Sequence, residues 1–140
     1  MTMGRIAIKL FLRLSVSFSF LSAVADRFGL WPEKYSAWGN WDKFVAYTKV
    51  INPWFPESMI PAVSVVATTA EVVFALCILT GLRTELFAKL SGVLLLLFAL
   101  AMSFTTGIKG AFDYSVFSAS AGAFALSLMK EKYLELDSLL

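Results

Sequence analysis

Glu71 stands near the middle of an apolar run from Ile60 to Leu82, and no other acidic residue falls inside that run. A carboxylate in hydrocarbon is costly, so such a residue faces a bundle interior, a partner charge or a wet cavity. Two chemistries suit it: an ion pair that fixes helix register, or a proton-linked site. Thr68 lies one turn earlier on the same helical face, with its hydroxyl in reach. Arg13, inside the first apolar stretch, is the cation that the sequence offers as an interior partner. The competing reading sends its guanidinium out to lipid phosphates. If no cation reaches Glu71, protonation must neutralise it. A second polar group gathers toward the opposite end: Asp26 and Arg27 where the first stretch ends, and Lys109, Asp113 and Tyr114 around a later turn. These residues read either as an ion network holding a loop down or as the mouth of a ligand cavity.

The residue totals narrow the chemistry further. The chain has no His, which removes imidazole haem ligation, His-based zinc sites and a Ser-His-Asp triad. Its single cysteine, Cys77, cannot form an internal disulfide or a CxxC pair and reads as a small buried hydrophobe. A net charge of +2 without a basic cluster gives no footprint for nucleic acid. No metal-ligand set and no intrinsic cofactor are expected.

The elements that must position these residues belong to a membrane protein. Hydrophobic residues make up 59% of the chain and charged ones 16%, against about half and a quarter in soluble domains. A crossing helix needs ~20 mostly apolar residues, and four segments qualify: about 6–25, 60–82, 87–106 and 112–129. The last three are joined by short turns, which predicts antiparallel neighbours. The expected fold is an all-α, four-helix transmembrane bundle. Arg5, Lys9, Arg13, Arg83, Lys89, Lys130 and Lys132 fall on one side, against Arg27, Lys34, Lys43, Lys49 and Lys109 on the other. That bias places both termini in the cytoplasm. Ala23-Val24-Ala25 also resembles a signal-peptidase site, but a retained first helix is the expectation.

The loop 26–59 has a pattern of its own. Trp38, Trp41, Phe44, Val45 and Thr48 share one helical arc, with Asp42, Lys43, Ala46 and Lys49 opposite. Trp31, Tyr35, Tyr47 and Trp54 add aromatics suited to the headgroup level, and Pro32, Pro53 and Pro56 punctuate the ends. An amphipathic interfacial helix capping the bundle is one reading; a loop packed on the helix ends with no cavity beneath is the other. Stripes of small residues mark the remaining faces. They are Ser64, Thr68, Glu71 and Ala75 in the second span, Ser15, Ser19, Ser22 and Asp26 in the first, Gly92, Ala99, Ser103 and Thr106 in the third, and Ser115, Ser118, Gly122 and Ala125 in the last. Close helix packing explains such stripes; serines could also wet a cavity.

Several segments, taken in order, resemble a known family. They are Arg13-Leu14, Phe20–Pro32 (FLSAVADRFGLWP), Trp38–Trp41 (WGNW), Asn52–Pro56 (NPWFP), Ala67–Met102 and Asp113–Leu126. Most telling is a mid-helix Glu71 followed by Gly81-Leu82-Arg83-Thr84. This pattern resembles the bacterial DoxX family over nearly the whole chain, except for about the last ten residues. The resemblance implies a four-helix inner-membrane protein. It is similar to the small membrane subunit of a thiosulfate:quinone oxidoreductase, or to members attached to redox-defence complexes. With no nucleotide fingerprint or Cys pair of its own, a redox role would run through a bound quinone or a partner subunit. The leading expectation is therefore a subunit or accessory protein that holds a quinone or lipid-like ligand. The alternatives are a proton-coupled small-molecule transporter built on Glu71, and a structural scaffold. A homo-oligomer is compatible with each.

Overall fold

The structure, a computed structural model, describes residues 2–140. It is helical throughout, with no strand among the described residues. Helix α1 runs Met3–Arg27, α2 Trp41–Ile51, α3 Ile60–Thr80, α4 Thr84–Thr105, α5 Ile108–Asp113 and α6 Val116–Ser127. Single 3-10 turns at Glu33–Tyr35, Glu57–Met59 and Leu136–Leu139 complete it. Three helices are long and apolar enough to cross a bilayer: Met3–Arg27, Glu57–Thr80 (α3 with its leading turn) and Thr84–Thr105. Their outward faces carry Phe11, Phe18, Val66, Leu97 and Phe104, all exposed. So much exposed apolar surface is compatible with a multi-pass membrane protein.

The expected fourth span departs from the sequence reading. The segment 112–129 is not one helix; α5 ends at Asp113, and α6 starts only at Val116. Between them Ser115 adopts the left-handed conformation, with φ of 57°. Asp113, Tyr114 and Ser115 are all exposed, and Asp and Ser are weak helix formers, so nothing buried holds the helix continuous through them. The α6 helix is about 18 Å long at ~1.5 Å per residue, and by itself too short to cross a bilayer. It packs against α4 all the same. Ser120 Oγ donates to the Gly92 carbonyl at 2.7 Å, and a Cβ at Gly92 would lie 2.8 Å from the Phe124 ring. Gly92, the first residue of the α4 small-residue stripe, serves this close approach.

The loop carries one helix, α2. Asn40 caps it, its side-chain oxygen accepting from the Lys43 N–H at 2.9 Å, as Asn favours at that position. Phe44, Thr48 and Ile51 form its buried face, and Ile51 joins a core cluster with Ala99, Ala101, Met102 and Ala111. Thus α2 covers one end of the bundle, here termed the loop end.

The other end is closed by the final residues, a tail from 129 to 140 that folds back across the helix termini. Lys9 bonds the Glu131 carbonyl and meets Glu135 at 2.8 Å. Asp137 caps α4 from a distance in sequence: its carboxylate accepts from the N–H groups of Arg83 at 2.5 Å and Thr84 at 3.0 Å. Burial alone would push the Asp137 carboxyl up, but these backbone donors hold it below its ordinary value. The tail lies so close that Gly81 has no room for a side chain. Its φ is +76°, and a Cβ would sit 2.5 Å from the Glu135 Cα. Gly81→Ala is therefore expected to cost about 2–4 kcal/mol, left-handed strain and overpacking together. Thermal unfolding in detergent measures it, and an unchanged melting temperature would contradict the tail's position.

Candidate functional site

The buried stripe of α3 comprises Ile60, Ser64, Thr68, Glu71, Ala75 and Ile78, so Glu71 points between helices. Its partner is Arg27, not Arg13. The Arg27 guanidinium holds both carboxylate oxygens: Nη2 donates to Oε1 at 3.0 Å, and Nη1 donates to Oε2. Nη1 also donates to Thr68 Oγ1 at 2.8 Å. Both charged side chains are almost sealed, Arg27 and Glu71 each being 2% exposed. The aromatic loop closes over them. The guanidinium carbon lies 3.8 Å from the Phe44 ring centre and 5.3 Å from that of Trp38. A planar guanidinium can stack and bond bidentately at once, which an ammonium cannot do. The Nε of Arg27 has no acceptor.

Helix geometry explains the choice of cation. Along a helix the Cα–Cβ bond leans toward the N-terminus. In α3 this tips Glu71 toward the loop end. In the antiparallel α1 it tips Arg27 inward from that end, and Arg13 outward toward the tail. Arg13 lies level with Ile78 and Leu79, whose carbonyls accept from its Nε at 3.1 Å and Nη2 at 2.9 Å. Its remaining donors reach the carbonyls of Tyr133 at 2.9 Å and Leu134 at 3.0 Å. The expected Arg13–Glu71 pair is thereby corrected, and so is the snorkelling alternative, because Arg13 is buried. A cation on the last carbonyls of α3 also suits that helix's dipole.

The expected outer polar group does not assemble as one site. Asp26 is a loop clamp: it accepts from the Ser36 hydroxyl and from the N–H groups of Ala37 at 2.8 Å and Trp38 at 3.0 Å. Lys109 and Asp113 pair only with each other, at 2.6 Å and largely exposed, and Tyr114 is exposed beside them. Such a surface pair contributes little. Among the tryptophans, Trp38 meets Phe44 edge-on at 5.2 Å and Trp41 stacks on Phe28 at 5.6 Å. Trp31 donates from Nε1 to the Ser22 carbonyl at 3.1 Å, while Trp54 is exposed. Cys77 is half-buried rather than enclosed.

Two features lay outside the sequence reading. The tail residues Glu135 and Asp137 organise the opposite end of the bundle; in the sequence they are interleaved with Leu134, Leu136 and Ser138 and form no motif. The other is a shallow, wide-open groove on the outer face of α1, lined by that helix and by residues of the 31–38 segment. Its walls include Phe11, Leu14 and Phe18 at the apolar end. Trp31, Tyr35 and Trp38 close the end beside Asp26. Ser15, Ser19 and Ser22 run along its floor, so the α1 serine stripe faces a groove and not a helix contact. No family model, curated protein or solved structure matches this chain.

Proposed function

We propose that the protein is a multi-pass membrane protein of DoxX type that holds a quinone or similar amphiphile in the α1 groove and serves a redox partner as a small subunit or accessory. The groove carries this reading. It is long, apolar at one end and lined by hydroxyls and aromatic rings at the other, which suits a flat polar head on a hydrocarbon tail. In this arrangement α5 and α6 together make the fourth crossing, and α2 lies in the interface over the loop end. The charges at the tail end face the cytoplasm of a bacterial inner membrane. The Arg27–Glu71 pair pins α1 to α3 and seats the aromatic loop whose Trp38 forms one groove wall. With both oxygens of Glu71 engaged by Arg27, no free carboxylate is left for proton-coupled exchange, which weighs against a transporter.

Trp31 and Trp38 supply the test, since a bound quinone quenches indole fluorescence. A short-chain ubiquinone or menaquinone analogue, titrated into the protein in nanodiscs, is expected to give saturable quenching. Ser19 is exposed on the groove floor, so Ser19→Phe fills the groove without disturbing the core. It should weaken binding at least tenfold, the cost of a steric block of about 1.4 kcal/mol or more. Quenching that stays linear, or that ignores Ser19→Phe, would leave a scaffold as the function.

A further inference from the structure

We infer that the cleft at the tail end of the bundle binds the phosphate headgroup of an anionic phospholipid. This cleft, about 420 Å³, opens between the first turns of α4 and the folded-back tail. Arg83 and Lys89 line it from one side, and Lys130 and Lys132 from the other. Three acids line it as well. Glu85 holds Lys130 at 2.7 Å, and Glu135 holds Lys9 at 2.8 Å. Asp137 accepts from the backbone N–H groups of Arg83 and Thr84 and keeps its negative charge beside Lys132. Arg83, Lys89 and Lys132 enter no ion pair among the described residues, and Lys132 reaches only the Asp137 carbonyl, at 3.4 Å.

The cleft thus holds five cations, Lys9, Arg83, Lys89, Lys130 and Lys132, against three acids, Glu85, Glu135 and Asp137, a surplus of two positive charges. A phosphate fits, because it accepts several charged donors at once. A lipid phosphate fits better than a soluble one. Leu86 and Met129 line the same cleft, and the exposed face of α4 continues from it through Leu90, Val93 and Leu97. That leads acyl chains into the bilayer. Basic clefts at the ends of membrane helices recognise headgroups in this way. The site also requires the tail to be folded back, since Lys130 and Lys132 come from it.

Native mass spectrometry of the full chain in detergent tests this, with equal amounts of phosphatidylglycerol and phosphatidylcholine offered together. Phosphatidylglycerol should be retained preferentially. Lys89→Gln with Lys132→Gln should lower its affinity roughly 25-fold, about fivefold for each charge removed. Both residues are exposed, so folding should survive. The arginine pair Lys89→Arg with Lys132→Arg should keep the preference. So should Lys43→Gln with Lys109→Gln, which removes two exposed cations elsewhere. Equal retention of the two lipids by the native chain would overturn the proposal, as would equal loss in the Lys43/Lys109 control. Displacement of the lipid by millimolar inorganic phosphate would also overturn it, assigning the cleft to a soluble anion.

Discussion

Arg27→Gln is expected to destabilise the protein by roughly 3–5 kcal/mol, the range for removing one partner of a buried pair. Glu71 would be left between helices with only the Thr68 hydroxyl near it, and the ring of Phe44 would lose the guanidinium beneath it. Thermal unfolding in detergent should register a fall of about 10 °C or more. Glu71→Gln keeps one acceptor for the guanidinium, so its effect should be smaller. The double variant should be less damaged than the two single effects added together, by at least ~1 kcal/mol of coupling. Arg13→Gln combined with Glu71→Gln should simply add, since those residues share no partner. Arg27→Lys should not rescue, because an ammonium can neither grip two carboxylate oxygens in plane nor stack flat on Phe44. Additivity between Arg27 and Glu71 would sink the assignment of this pair as the pin between α1 and α3.

Arg13→Met should release the tail. The substitution keeps an apolar stem of similar reach but removes every donor. The carbonyls of Ile78, Leu79, Tyr133 and Leu134 then lose their shared partner, and Glu135 retains only Lys9 for its charge. Losing two or more hydrogen bonds to a charged donor costs about 3 kcal/mol or more. Much of this should appear locally, as opening of the tail rather than of the bundle. Trypsin cuts after Lys130 and Lys132 only when the tail is free. Cleavage there should rise at least tenfold, the response to ~1.4 kcal/mol of local opening, while the helices stay protected. A tail that remains as resistant as in the native chain would show that Arg13 is not its anchor.

Sequence reasoning alone reaches the helical class, three apolar helices long enough for a bilayer, and the inward face of α3. Each follows from local rules. Apolar runs of a given length form helices where lipid leaves the backbone no other partner, and the spacing of Ser64, Thr68, Glu71 and Ala75 puts them on one side whatever lies opposite. Hydropathy makes the fourth apolar segment look continuous because it averages over Asp113, Tyr114 and Ser115, whereas the backbone breaks there, at Ser115. The partner of Glu71 belonged to tertiary structure. Arg13 and Arg27 lie on one face of α1, about four turns apart. Composition does not separate them. The vertical offset of α1 against α3 does, together with the lean of side chains toward each helix N-terminus, and that offset is set by contacts at both ends. The tail's role was hidden for a similar reason. Glu135 and Asp137 sit in a short mixed segment, among Leu134, Leu136, Leu139 and Leu140, that has no pattern of its own. They gain a place only because the ends of α3 and α4 leave backbone groups, at Gly81, Arg83 and Thr84, that need partners.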